Sequence, residues 1–305
     1  MGVAKKIRCP LPEIQASTDS AVIARGEYLA NGPAHCGSCH VPHDKVIAVD
    51  GGEVIPYSGG WELTLSGFGT LRTPNLTPHL ETGIGQFSDA EIARAVRYGI
   101  GRDGRTLFPI MGNQGMSDED LTAIISYLRS QTPVEHRVEP VEYKFMAKAL
   151  FAFGLIKPEG PKETPPKAVA IDSTVAYGEY LAYHVGNCRA CHTQMNLKNG
   201  QFIGADFAGK TFFEPDEFSK GYAFVSPNLT PDLATGIIAS WTEDDFVNRF
   251  KTGRVHSGSP MPWGALSTMN DVELKALYRY FQSLQPVENK IDKIVYSPGE
   301  ALPKF

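Results

Sequence analysis

The chain is written twice. ARGEYLANGPAHCGSCH (24–40) returns as AYGEYLAYHVGNCRACH (176–192), and TPNLTPHLETGI (73–84) as SPNLTPDLATGI (226–237). FSDAEIARAVRYG (87–99) returns as WTEDDFVNRFKTG (241–253), and MSDEDLTAIISYLRSQTPV (116–134) as MNDVELKALYRYFQSLQPV (269–287). The four blocks keep one order and offsets of 152 to 154 residues. A repeat of this kind requires two copies of one small fold. The blocks place the copies at 20–134 and 173–287, with an N-terminal arm 1–19, a linker 135–172 and a C-terminal tail 288–305. A length of 305 residues suits two domains of that size.

Each copy reads as helical. Ser88 with Glu91, and Thr242 with Asp245, have the spacing of a capping box. Ser117 with Asp120, and Asn270 with Glu273, open a further helix in each copy. In that helix Leu121, Ile124, Ile125 and Leu128 recur at the helical apolar period, as do Leu274, Leu277 and Phe281. GEYLA reads as the end of a first helix, and no alternating strand pattern competes. The expected fold class is all-α, with long loops. In the linker, EYKFMAKALFAFGLI (142–156) reads as a short amphipathic helix that straps one domain or offers a docking surface. The proline-rich stretch after it reads as extended.

The chemistry lies in C-x-x-C-H, present at Cys36, Cys39, His40 and again at Cys188, Cys191, His192. A structural zinc site needs four converging ligands, usually two such pairs, whereas each copy has one pair. A redox dithiol of the thioredoxin type sits beside a βαβ pattern, which is absent here. Covalent haem c attachment uses this order of residues: two thiols form thioethers, and the histidine behind them reaches the iron. The pattern therefore predicts two covalent haems, each with its iron. A distal methionine is the usual sixth ligand in electron transfer. Met111 and Met261 lie in Gly/Pro-bounded loops and are the expected ligands. Met116 and Met269 stand just before helix caps, where an apolar residue staples the helix. A metal-bound imidazole also needs an acceptor for its other nitrogen. The Pro74 and Pro227 carbonyls, in TPNLTP and SPNLTP, are the expected acceptors.

Composition removes other classes. A net charge of −5 without clustered Lys or Arg gives no nucleic-acid footprint. No apolar run approaches the roughly 18 residues of a membrane helix, so membrane association is expected only through an N-terminal anchor or a partner subunit. The fifth cysteine, Cys9, reads as a leftover thiol. The histidines outside the motifs, His35 and His256 among them, read as surface residues, with His256 the one rival ligand near Met261. Arg72 reads as a partner for a haem propionate.

The order C-x-x-C-H, PNL, loop Met, terminal helix resembles the class I c-type cytochromes in tandem. The longer pattern is similar to the cytochrome c subunits of bacterial membrane-bound alcohol and gluconate-type dehydrogenases. That resemblance implies His40 with Met111, and His192 with Met261, as axial pairs on a periplasmic protein. It implies a di-haem electron carrier between a dehydrogenase and a soluble cytochrome or terminal oxidase, not an enzyme. The alternative is a di-haem peroxidase, which would need one open iron with acid–base groups above it.

Overall fold

The computed structural model describes residues 9–65, 67–196 and 201–303. They form two compact units, one ending at Val169 and the other beginning at Ala170. The boundary thus differs from the expected 135–172 linker, most of which belongs to the first unit.

In the first unit, α1 (Ser20–Asn31) crosses α4 (Asp118–Ser130). The crossing is tight because Gly26 faces it: a Cβ there would lie 1.8 Å from the Ala123 carbonyl oxygen. Between them come α2 (Val46–Asp50) and α3 (Asp89–Tyr98). The Ser88–Glu91 capping box starts α3, and Ser117 accepts from Asp120 N to start α4. Leu121, Ile124, Ile125 and Leu128 are all buried, so the apolar period of α4 is its core face. The arm is docked rather than loose: Ala16 N donates to Asp89, Ser17 N to Ser126, and Ile14 is buried.

The second unit repeats the plan. Here α6 (Val175–Tyr180) runs on into a π-helical turn, Leu181–Val185, and crosses α10 (Asp271–Ser283). Gly178 takes the place of Gly26, with its virtual Cβ 2.0 Å from Ala276 O. The motif helix α7 (Cys188–His192), the capping-box helix α8 (Glu243–Lys251) and a short α9 (Trp263–Leu266) complete it.

Small sheets were not legible beforehand. β1 (Glu62–Leu65) and β2 (Gly69–Arg72) form an antiparallel hairpin, and β3 (Glu142–Tyr143) pairs with β2. β4 (Met195–Asn196) pairs with β5 (Gln201–Phe202). β6 (Phe212–Phe213), β7 (Ala223–Val225) and β8 (Val295–Tyr296) form the counterpart sheet of the second unit. Each copy thus continues past its terminal helix and returns as a third strand, beyond the boundaries 134 and 287. These strands are two to four residues long, too short to show an alternating pattern. The helical class stands.

The segment after β3 is a strap. Its helix α5 (Phe145–Ala152) buries Ala147 and brings Phe151 into an aromatic cluster with Phe68, Tyr143 and Phe108. Further on, the Pro166 and Lys167 carbonyls accept from Asp118 N and Glu119 N, satisfying free donors at the start of α4. That docking explains why the expected extended linker is part of the first unit.

Candidate functional site

Each C-x-x-C-H starts from a residue in the left-handed region: His35 (φ 40°) and Asn187 (φ 46°). The turn aims the chain from the first helix into a short helical segment carrying the motif, Cys36–Ser38 or Cys188–His192. Asn tolerates this conformation readily. His35 is not a surface residue. It is half-buried with Nδ1 2.6 Å from Ala34 O, and burial pushes its pKa down to about 4.

Burial acts on the motif side chains. It pushes Cys36 and Cys188 up to about 12 and Cys39 up to about 11, so these three are neutral thiols at pH 7, while Cys191 lies exposed. It pushes His40 down to about 4, and lowers His192, leaving neutral imidazoles able to donate a lone pair. No disulfide joins the cysteines. Among the described residues no three His, Cys, Asp or Glu side chains converge to hold an ion. Two unpaired thiols and a neutral imidazole suit attachment to a flat macrocycle.

The proline loops approach the imidazoles. His192 Nδ1 lies 3.1 Å from Pro227 O, which fixes Nδ1 as the donor and leaves Nε2 as the free nitrogen. In the first unit the Pro74 carbonyl also acts on His40, opposing the effect of burial. There the buried Nδ1 falls short of hydrogen-bond geometry.

Both loops are pinned by one repeated network. Asn75 Oδ1 accepts from Thr77 N and Oγ1, and Asn75 Nδ2 donates to Val134 O just past α4. Asn228, Thr230 and Val287 make the same bonds.

Two glycines escaped the sequence reading. Gly59 N donates to His40 O at 3.0 Å, and Gly209 N to His192 O at 2.8 Å. Both have positive φ, 71° and 76°, and a Cβ would lie 2.4 Å from Pro74 O or 2.6 Å from Pro227 O. Each glycine therefore holds the histidine backbone against the proline loop. The only cue was an aromatic residue two places before it, Tyr57 or Phe207, both fully buried. Gly209→Ala is expected to cost about 2 kcal/mol or more through strain and overpacking, read as a lower urea midpoint for the second unit. A loss under about 0.5 kcal/mol would show that the loop gives way.

The methionines divide by burial. Met116 and Met269 are fully buried, and their carbonyls accept from Arg97 and Lys251 at equivalent places. Met111 is half-buried in the loop between α3 and α4, with its carbonyl held by Gln114 Nε2 at 2.7 Å. Met261 is also half-buried, but its loop is clasped. Its carbonyl accepts from Trp263 N (2.8 Å) and Arg254 (3.1 Å), and Arg249 stacks 3.7 Å over the Trp263 ring.

Other candidates change place. Arg72 is engaged with Glu62 at 2.6 Å and Glu142 at 3.4 Å on the sheet. His256 sits edge-on to Tyr222 and Phe224 with Nδ1 buried, so it is packed rather than a surface residue.

Residues 23–132 match the family model for cytochrome c. The chain is 32% identical over 300 residues to the cytochrome c subunit of the quinone alcohol dehydrogenase of Gluconacetobacter polyoxogenes, covering 93% of this chain and 60% of that one. It is 28% identical to the gluconate 2-dehydrogenase cytochrome c subunit of Pantoea cypripedii, over 87% of this chain and 60% of that one. It is 25% identical to a diheme cytochrome c-type protein of Cereibacter sphaeroides, over 87% of this chain and 86% of that one. The chain thus spans about 60% of the length of the dehydrogenase subunits it matches. A cytochrome c domain carries covalently bound haem c, and the thiols and imidazoles here have the chemistry to hold it. With the repeated helical frame, residues 23–132 form a cytochrome c domain, an electron-transfer module, and over most of its length the chain is similar to cytochrome c subunits of dehydrogenases.

Proposed function

We propose that the chain carries two haem c groups, one per unit, and passes electrons from a dehydrogenase to a cytochrome or terminal oxidase at the periplasmic face of a bacterial membrane. The observation behind this reading is the duplicated site: the same thiols, imidazole, proline carbonyl and glycine recur in both units. Haem c, when bound, supplies a one-electron couple.

The residues do the rest. Cys36 and Cys39, or Cys188 and Cys191, anchor the macrocycle. His40 and His192 would hold the iron through Nε2, with Nδ1 directed to Pro74 or Pro227. Met111 and Met261 would be the second ligands of the iron, which would raise the potential of the couple. The length shared with the Cereibacter diheme protein supports two haems. The alcohol and gluconate dehydrogenase relatives support a dehydrogenase as the donor.

Met111→Ala and Met261→Ala test the ligand pairs. Each is expected to halve the methionine-to-iron charge-transfer absorption and to shift one of two redox steps downward. Met116→Ala is expected to lower stability by about 2–5 kcal/mol and to leave both redox steps in place. If Met116→Ala abolishes a charge-transfer band instead, the ligand assignment fails. Rapid peroxide turnover by the unaltered protein would favour the di-haem peroxidase.

A further inference from the structure

The strap helix has a second face that its packing does not use. Phe145, Met146, Ala149, Ala152 and Phe153 lie at i, i+1, i+4, i+7 and i+8, one side of a helix. Phe145 is 87% exposed, Phe153 81%, and Leu155 just beyond them 70%. Aromatic side chains this exposed, side by side on one helix, mark a contact surface. Along the segment itself the charges are basic, with Glu142 and Glu159 at its two ends. Lys144, Lys148 and Lys157 are all exposed, and no Asp or Glu occurs from Tyr143 to Pro158. Among the described residues none of the three lysines is in an ion pair.

Beside the helix start is an open groove of about 440 Å³ lined by Gly69, Thr70, Glu142, Tyr143, Lys144 and Lys148. Its one acid, Glu142, shares Arg72 with the nearer Glu62, so the lining sets two lysines against one carboxylate, a surplus of one positive charge.

We propose that this face rests on an anionic phospholipid surface. Phe145, Met146, Phe153 and Leu155 enter the boundary between headgroups and acyl chains, and Lys144 and Lys148 meet the headgroup phosphates. The charge pattern favours lipid over a protein partner. A protein interface centres on shape-complementary, well-packed contacts, whereas here protruding apolar knobs stand beside exposed lysines without a shaped apolar pocket. A fluid apolar layer accepts knobs without complementary shape. Lysine stems reach from its edge to phosphate.

The test is flotation of the full haem-loaded chain with vesicles of phosphatidylglycerol and phosphatidylcholine, and with phosphatidylcholine alone. Binding is expected to the anionic vesicles, weakening as salt rises. Phe145→Ser with Phe153→Ser is expected to weaken it at least tenfold. Lys144→Gln with Lys148→Gln is expected to reduce it roughly tenfold and to remove the preference for anionic lipid. All four positions are exposed, so an unchanged visible spectrum certifies the fold. Absence of flotation, or flotation that both double variants retain, would overturn the proposal. So would a concentration-dependent dimer, seen by sedimentation velocity and abolished by the phenylalanine variant, since a second copy would then own the face.

Discussion

Cys36→Ser together with Cys39→Ser is expected to yield a chain with one covalent haem instead of two. The pyridine haemochrome assay should read one haem per polypeptide, and mass spectrometry of the denatured chain should show one haem mass fewer. Serine hydroxyls form no thioether with vinyl groups, so attachment in the first unit is lost outright. The second unit has its own thiols, Cys188 and Cys191, within its own fold. The complementary pair, Cys188→Ser with Cys191→Ser, is expected to leave the other haem. Two haems retained in either variant would show that these cysteines are not the anchors.

Gly26→Val is expected to be the most damaging single substitution outside the motif. Even alanine would set its Cβ 1.8 Å from Ala123 O and 2.9 Å from Tyr127 Cβ. Backbone cannot move aside as a flexible side chain can, so α1 must lift off α4. The expected cost is about 3 kcal/mol or more, at the upper end of overpacking. Because the chain forms two units, urea unfolding should show the phase of the first unit moving to lower urea while the other stays. Gly178→Val should shift the other phase, through Ala276 O at 2.0 Å. A loss below about 1 kcal/mol in both would mean that neither crossing depends on glycine.

Much of this was legible because it is local. A capping box spans four residues, and Ser88–Glu91 and Thr242–Asp245 form as their spacing implies. The apolar period of α4 and α10 told which face is core. The buried positions of Met116 and Met269 followed from their place before a cap. The strands were not legible, because two residues paired across a gap of more than 70, as β2 with β3, leave no periodic trace. His35 looked exposed because polarity says nothing of a left-handed turn. The partners of Arg72, Glu62 and Glu142, were not legible because they are joined to it only through the sheet.

The sequence by itself determined that there are two copies, that they are helical, and which thiols and imidazoles recur. Spacing and repetition are properties of the chain read along its length. The tertiary structure alone decided that Pro227 O meets His192 Nδ1 across 35 residues, and that Gly59 and Gly209 carry the histidine carbonyls. It alone decided that the strap seats on the first unit and turns Phe145 and Phe153 outward. Those contacts come from folding distant segments together, where close packing, not local propensity, selects which atoms touch.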